Sequence, residues 1–283
     1  MRSPPSPSNR HRWLWGGIAL LLVIGAFSVL AQGRGRGSRM ARQDHEAFPT
    51  WELPAFLPKD VFTFVRIEYS GFGGGWGRGD WTTDAPDADL NFAYRLQQMT
   101  SMTVCPHPTY IRLTDPRLFH YPFIYMVEVG GMYLEEEELP ILRRYLLNGG
   151  FLMVDDFWGE EEYLNLHEQL QRLFPGREPI ELPLEHPIFH TVFDLRERPQ
   201  IPNVWTGTRS QFTGVTWERS DAIEVHYKGL FDDKGRLMVM ICHNTDLGDG
   251  WEREGENIFY FREFSEKKAY PLGINIIVYA MTH

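Results

Sequence analysis

The spacing of apolar and polar positions changes several times along this chain, and each change marks out an element. Val61 to Tyr69 (VFTFVRIEY) has the β-branched and aromatic content of a strand. It runs into Ser70 to Trp81 (SGFGGGWGRGDW), a glycine-rich loop. From Asp87 to Met99, Leu90, Ala93, Tyr94 and Leu96 recur at about helical spacing and predict a helix. Thr103 to Leu113 reads as a short extended segment broken by Pro106 and Pro108. The clearest pattern lies between Pro122 and Gly159. An apolar run, Phe123 to Val127, ends in Glu128 and two glycines. A helical pattern follows as far as Asn148-Gly149-Gly150, and a second apolar run, Phe151 to Val154, ends in Asp155-Asp156. Short apolar runs bounded by turn residues suit strands buried on both faces. Pro140 inside the helical pattern would cost about 3 kcal/mol in a helix interior. The helix therefore either kinks there or has its regular part starting near Leu139.

Glu160 to Phe174 predicts the next helix, with Leu164, His167, Leu170 and Phe174 along one side. Pro175 to Asn203 is proline-rich. Ala222 to Tyr227 and Leu237 to Cys242 read as strands joined by the hairpin signal Phe231-Asp232-Asp233-Lys234-Gly235. Asn244 to Glu256 reads as an acidic loop, and Leu272 to Met281 as an apolar terminal helix. Strands alternating with helices, closed by a late hairpin, predict an α/β fold: three layers, with a mostly parallel sheet covered by helices on both faces.

Composition narrows the function. The chain has 283 residues and a formal charge of -10. That balance excludes nonspecific nucleic-acid binding, which needs a basic surface. Two cysteines, Cys105 and Cys242, are too few for a disulfide framework, and no Cys/His cluster has zinc spacing. At the N-terminus, Arg2, Arg10 and Arg12 precede an uncharged run from Trp13 to Ala31. Residues 1–31 therefore read as a secretory signal peptide or an uncleaved membrane anchor. Residues 32–60, with GRGRGSRMARQ and three prolines, read as a linker, and residues 61–283 as the folded domain. The expected setting is the periplasm or the outer face of the cytoplasmic membrane, with the membrane touched only through the N-terminal segment.

Candidate chemistry gathers at the ends of the predicted strands. In an open parallel sheet, ligands sit outside the carboxyl ends of the strands. Asp80, Glu128, Asp155 and Asp156 would share that edge, where clustered carboxylates can hold a hard cation or share a proton. Asp155 and Asp156 are the candidate metal ligands, and Asp156 is also placed to cap the following helix. The glycine-rich loop matches neither GxGxxG nor a P-loop, since Asp80 stands where a phosphate-binding lysine would be needed. His243 to Glu252 superficially resembles a calcium loop. The EF-hand register from Asn244 fails, because Asp249 stands in place of the glycine and Gly255 in place of the final glutamate. Asn244, Asp246, Asp249 and Trp251 remain candidates for a ligand-facing loop, and Trp81 for a second aromatic platform. Neither cysteine sits on a nucleophile elbow.

RRYLLNGGFLMVDDFWG (143–159), LPLEHPIFH (182–190), FDDKGR (231–236), NTDLGDGWE (244–252) and GINIIVYAMTH (273–283) together resemble the DUF4159 family, a bacterial domain of unknown function. The likeness runs from about Phe62 to the C-terminus. It implies a fold similar to class I glutamine-amidotransferase-like and flavodoxin-like domains, in proteins that are often secreted or membrane-attached. It supplies no catalytic residues, and the chain lacks the elbow cysteine and Cys-His pair of the amidotransferases. Two functions are expected in turn. The first is a non-catalytic binding or assembly module outside the cytoplasm, with an envelope protein or a glycan as partner. The second is a metal-assisted hydrolase using the strand-end carboxylates. Which cofactor, if any, is used is left open by the sequence.

Overall fold

The computed structural model describes residues 48–53, 60–71 and 80–283. The N-terminal segment 1–31, most of the segment 32–60 and the centre of the glycine-rich loop with Trp76 lie outside the described residues. Trp51, within the stretch read as linker, packs near the Tyr94 ring and donates from Nε1 to the Val104 carbonyl at 2.7 Å. Among the described residues, no helix is long and apolar enough to cross a membrane.

The predicted strand 61–69 divides. β1 (Val61–Phe62) pairs with β4 (Thr103–Val104), while β2 (Val65–Ile67) enters the main sheet. β3 (Ser70–Gly71) pairs with β7 (Met132–Tyr133). The seven-stranded sheet also contains β5 (Thr109–Ile111), β6 (Phe123–Val127), β8 (Phe151–Asp155), β9 (Ile180–Glu181), β10 (His226–Phe231) and β11 (Leu237–His243). Its order is β5-β2-β6-β8-β11-β10-β9. β5, β2, β6, β8 and β11 run parallel, and β10 is antiparallel to both its neighbours. Numbered in chain order, the five parallel strands are arranged 2-1-3-4-5.

The helices are α1 (Asp87–Met99), α2 (Glu138–Leu147), α3 (Gly159–Leu173), α4 (Val204–Thr213), α5 (Leu247–Glu252), α6 (Ile258–Tyr260) and α7 (Tyr270–Thr282). A π-helical stretch, Phe261–Ala269, joins the last two. Alternate strand residues feed two separate cores. Phe123, Tyr125, Phe151 and Met153 pack with Phe92, Leu96, Trp251 and Ile274 of α1, α5 and α7. Ile124, Met126, Leu152 and Val154 pack with Leu142, Leu146, Leu166 and Leu170 of α2 and α3. The period of two along each strand explains the split, and it explains why the strands read as unbroken apolar runs.

The central β6–α2–β8 unit lies where the pattern predicts. Pro140 falls in the first turn of α2, where no intrahelical partner is lost. Three expectations need correction. β10 starts at His226 rather than Ala222, because Asp221 and Ala222 close a turn in which the Ala222 amide donates to the Arg219 carbonyl. The acidic stretch 244–256 contains the helix α5 instead of being all loop. Asp156 does not cap α3.

Candidate functional site

Three neighbouring parallel strands end in the same way. Glu128 follows β6, Asp156 follows β8 and Asn244 follows β11, each with left-handed backbone at φ 55, 51 and 62. A fourth left-handed residue, Asp84 (φ 63), lies in the turn before α1. These are the four non-glycine residues of positive φ among the described residues. Such a conformation costs a side-chain-bearing residue roughly 1–2 kcal/mol. Strain of this kind concentrates where tertiary structure forces the chain into a functional arrangement.

Asp155 ends β8 and is wholly buried. Its Oδ2 accepts from Tyr125 Oη (3.0 Å), from the Leu247 amide (2.9 Å) and from the Gly248 amide (3.1 Å). Oδ1 is sealed from solvent with no hydrogen-bond partner. Burial pushes this carboxyl up to about 7, against the pull of those donors. Asp156 accepts from Trp158 Nε1 at 3.0 Å, and burial with the charges of Glu128 and Asp84 drives its carboxyl well above the usual range. The amide groups at the start of α3 are met by other residues. The Trp158 amide donates to Glu162 and the Gly159 amide to Asn244 Oδ1, at 2.7 and 2.8 Å. Asn244 also donates from Nδ2 to the Glu224 carbonyl, so this predicted ligand residue ties loops together.

The chain after β11 forms α5 because Asp246 caps it, accepting from the Asp249 amide at 2.6 Å. Asp249 in turn accepts from the Val204 amide, the first of α4, at 2.5 Å, and from Arg253 Nε at 3.2 Å. Above them sits Asp84. One oxygen each from Asp84, Asp156 and Asp246 lies within 4.8 Å of the others, and the same holds for Asp84, Asp249 and Glu252. Oxygens bound to one cation at 2.0–2.6 Å are at most about 4–5 Å apart, so each set fits around a single ion. Asp84 Oδ2 is buried and unpartnered. Gly248 makes room for it, since a Cβ at that position would collide with this oxygen. Burial and Asp249 raise the Asp84 carboxyl to about 8; burial and Asp84 raise Glu252 to about 9. Asp246 is likewise driven far up by burial and by Asp156.

The turn that carries Asp84 is fixed from below. Arg66 on β2 donates from Nη1 to the carbonyls of Trp81 (3.0 Å) and Thr83 (2.6 Å) while gripping Asp89 with Nε and Nη2. Asp80 accepts from the Thr82 amide at 2.8 Å, which shapes the same turn from outside. Asp80 is exposed and belongs to neither set of three. Glu128 stands close enough to raise Asp156 and Tyr69, and its carbonyl accepts from Tyr69 Oη at 2.9 Å.

The predicted edge is therefore real, but its membership differs. Asp155, Asp156, Asp246 and Asp249 converge, with Glu128 beside them. Trp251 is no ligand platform: it is 1% exposed, with its ring 4.3 Å from Phe92 and packed against Phe64 and Tyr125. Trp81 is half-buried against Tyr110. Asp84, the residue common to both sets, was missed along with Glu252 and Arg253. A clue was present in Asp84-Ala85-Pro86-Asp87, an acidic turn signal just before α1.

Residues 63–281 match the family described as a domain of unknown function, DUF4159. The chain belongs to the DUF4159 family. The match covers every element of the DUF4159 sheet from β2 onward and all the carboxylates above. A comparison of the chain with curated proteins gives no match.

Proposed function

We propose that this DUF4159 domain is a cation-dependent binding module working outside the cytoplasm, and that its working centre is the carboxylate cluster around Asp84. One observation carries the reading. Three carboxylate oxygens, from Asp84, Asp156 and Asp246, crowd within 4.8 Å, and Asp84 contributes a sealed oxygen with no hydrogen-bond donor. Burying like charges together is unfavourable unless they are neutralised by protons or by a cation. An all-carboxylate set favours hard ions such as Mg²⁺, Ca²⁺ or Mn²⁺. The cluster also reaches the surface. Asp249 holds the first amide of α4, and that helix presents Trp205 and Phe212 to solvent, 73% and 84% exposed. Exposed aromatic anchors suit a protein partner in the envelope.

The strand order supports the finer fold reading: 2-1-3-4-5 is the flavodoxin-like arrangement, whose ligands lie at the carboxyl ends of the strands. Metal analysis of the purified full chain, with thermal-shift titration of Mg²⁺, Ca²⁺ and Mn²⁺, tests the proposal. A cation at a hundredfold excess over its Kd stabilises by about 2.7 kcal/mol. Asp84→Asn and Asp246→Asn should abolish that shift; no shift in the wild-type chain would refute the reading. Pull-down from envelope extracts with and without chelator then asks whether partner capture follows the cation, and recovery of a glycan alone would replace the protein partner.

Asp155 favours a second reading, metal-assisted hydrolysis. A carboxyl near pKa 7 with one bare oxygen, next to carboxylates that would hold a cation, has the properties of a general base. Hydrolysis of ester or phosphoester substrates that needs the cation should vanish in Asp155→Asn while the cation stays bound.

A further inference from the structure

The two oxygen sets share one residue, and that sharing has a chemical meaning. Asp84 has two carboxylate oxygens and belongs both to the set with Asp156 and Asp246 and to the set with Asp249 and Glu252. Resting on the cation reading above, we propose that the centre takes two hard divalent cations bridged by Asp84, and that Arg253 sets the affinity of the second.

Charge favours the uptake of cations. The two sets hold five carboxylates. Arg66, paired with Asp89 at 2.6 Å, and Arg253 both pull the Asp84 carboxyl down, but burial and Asp249 outweigh them. Arg253 is the cation in direct contact, 3.2 Å from Asp249 Oδ1 and 2.6 Å from Glu252 Oε2. With the buried Asp155 beside them, these carboxylates outnumber the two basic groups that act on Asp84, an excess that divalent cations would offset. Independent of the acidic count, three buried carboxylate oxygens make no hydrogen bond: Asp84 Oδ2 and Glu252 Oε2 within the cluster, the latter only in ion-pair contact with Arg253, and Asp155 Oδ1 beside it. Asp155 is 0% exposed and interacts electrostatically with Asp84 and Asp246. Buried polar atoms of this kind are rare unless something satisfies them.

Arg253 makes the two positions unequal. It already pairs with two of the three residues in the second set, and none of the first set's three is its ion-pair partner. Its side chain is 31% exposed, and a further ion pair to Glu256 at 3.0 Å offers the guanidinium a place at the surface. A cation entering beside Asp249 and Glu252 therefore displaces an existing ion pair, whereas one entering beside Asp156 and Asp246 does not. The first position binds more tightly.

The test is Mn²⁺ titration of the full chain by calorimetry with electron paramagnetic resonance, which reads bridged ions directly through their spin coupling. The wild-type chain should take two Mn²⁺, the second more weakly, with a coupled spectrum at saturation. Glu252→Gln should retain one Mn²⁺ with an isolated-ion spectrum. Asp84→Asn should lose the coupled signal, and Arg253→Gln should tighten the second step by about tenfold, one decade in Kd. A single Mn²⁺ in the wild-type chain with an isolated-ion spectrum overturns the paired centre and leaves the cation reading intact. No Mn²⁺ at all overturns both.

Discussion

Two regions of this domain bury charge a few residues apart, and they resolve it in opposite ways. Arg66 and Asp89 form a bidentate pair, 0% exposed on both sides, with Arg66 also over the Tyr125 ring at 5.1 Å. Its Nη1 serves the carbonyls of Trp81 and Thr83. Charge and hydrogen bonding balance within the protein. The Asp84 cluster gathers carboxylates from the turn before α1, the end of β8 and the stretch through α5, with Arg253 the basic side chain bonded to it. The difference separates architecture from a site. A balanced buried pair needs nothing further, while an unbalanced cluster stays folded by taking up protons or a cation.

The largest effect should come from unbalancing the balanced region. Arg66→Met leaves Asp89 buried without its partner and frees two carbonyls, which should cost about 3–5 kcal/mol by denaturant unfolding. The same change should loosen the Asp84 turn and weaken cation binding. If Arg66→Met is tolerated, the pair does not support the Asp84 turn.

The contrast sharpens at His243, a third buried polar group on the same rim. Its Nε2 pairs with the Gly159 carbonyl at 3.0 Å, its Nδ1 has no partner, and its ring stacks between Phe157 and Tyr163. Burial lowers its pKa to about 4. A histidine depressed in the fold takes up its proton first in the unfolded chain. The stability it lends is present above about pH 6.5 and is lost as pH falls towards 4. That loss should amount to about 3 kcal/mol. His243→Gln should flatten the pH dependence of unfolding by that amount between those limits, and unchanged curves would exclude the depressed pKa.

An effect of opposite sign is expected at Asp84. Its carboxyl is raised to about 8, so the charged form opposes folding, and this penalty grows as pH rises from the unfolded value through 8. In chelator at pH 8–9, Asp84→Asn removes that penalty and should therefore stabilise the chain while removing the response to cations. Destabilisation without metal would mean that the cluster is balanced by something else.

Much of the scaffold was legible along the chain. β6, α2 and β8 fall within a residue or two of the apolar runs, and α1 and α7 follow their patterns, because burial on both faces imposes continuous hydrophobic stretches. The elements that escaped are those whose stability is tertiary. α4 and the π-helical stretch have weak patterns of their own; α4 is started by Asn203 and by Asp249, 45 residues away. β1 and β2 read as one strand, since local content cannot reveal that Phe62 and Val65 pair with different partners.

The candidate site divides the same way. The sequence alone determined that acidic residues terminate neighbouring parallel strands, because a parallel sheet places its strand ends on one edge. Only the tertiary structure decided which carboxylates meet. Asp84 arrives from a turn positioned by Arg66, Glu252 from a helix capped by Asp246, and Trp251 turns inward to the core, while Asn244 and Asp80 serve as loop ties. Such meetings depend on long-range hydrogen bonds and on the space at Gly248, and neither leaves a periodic trace in the chain.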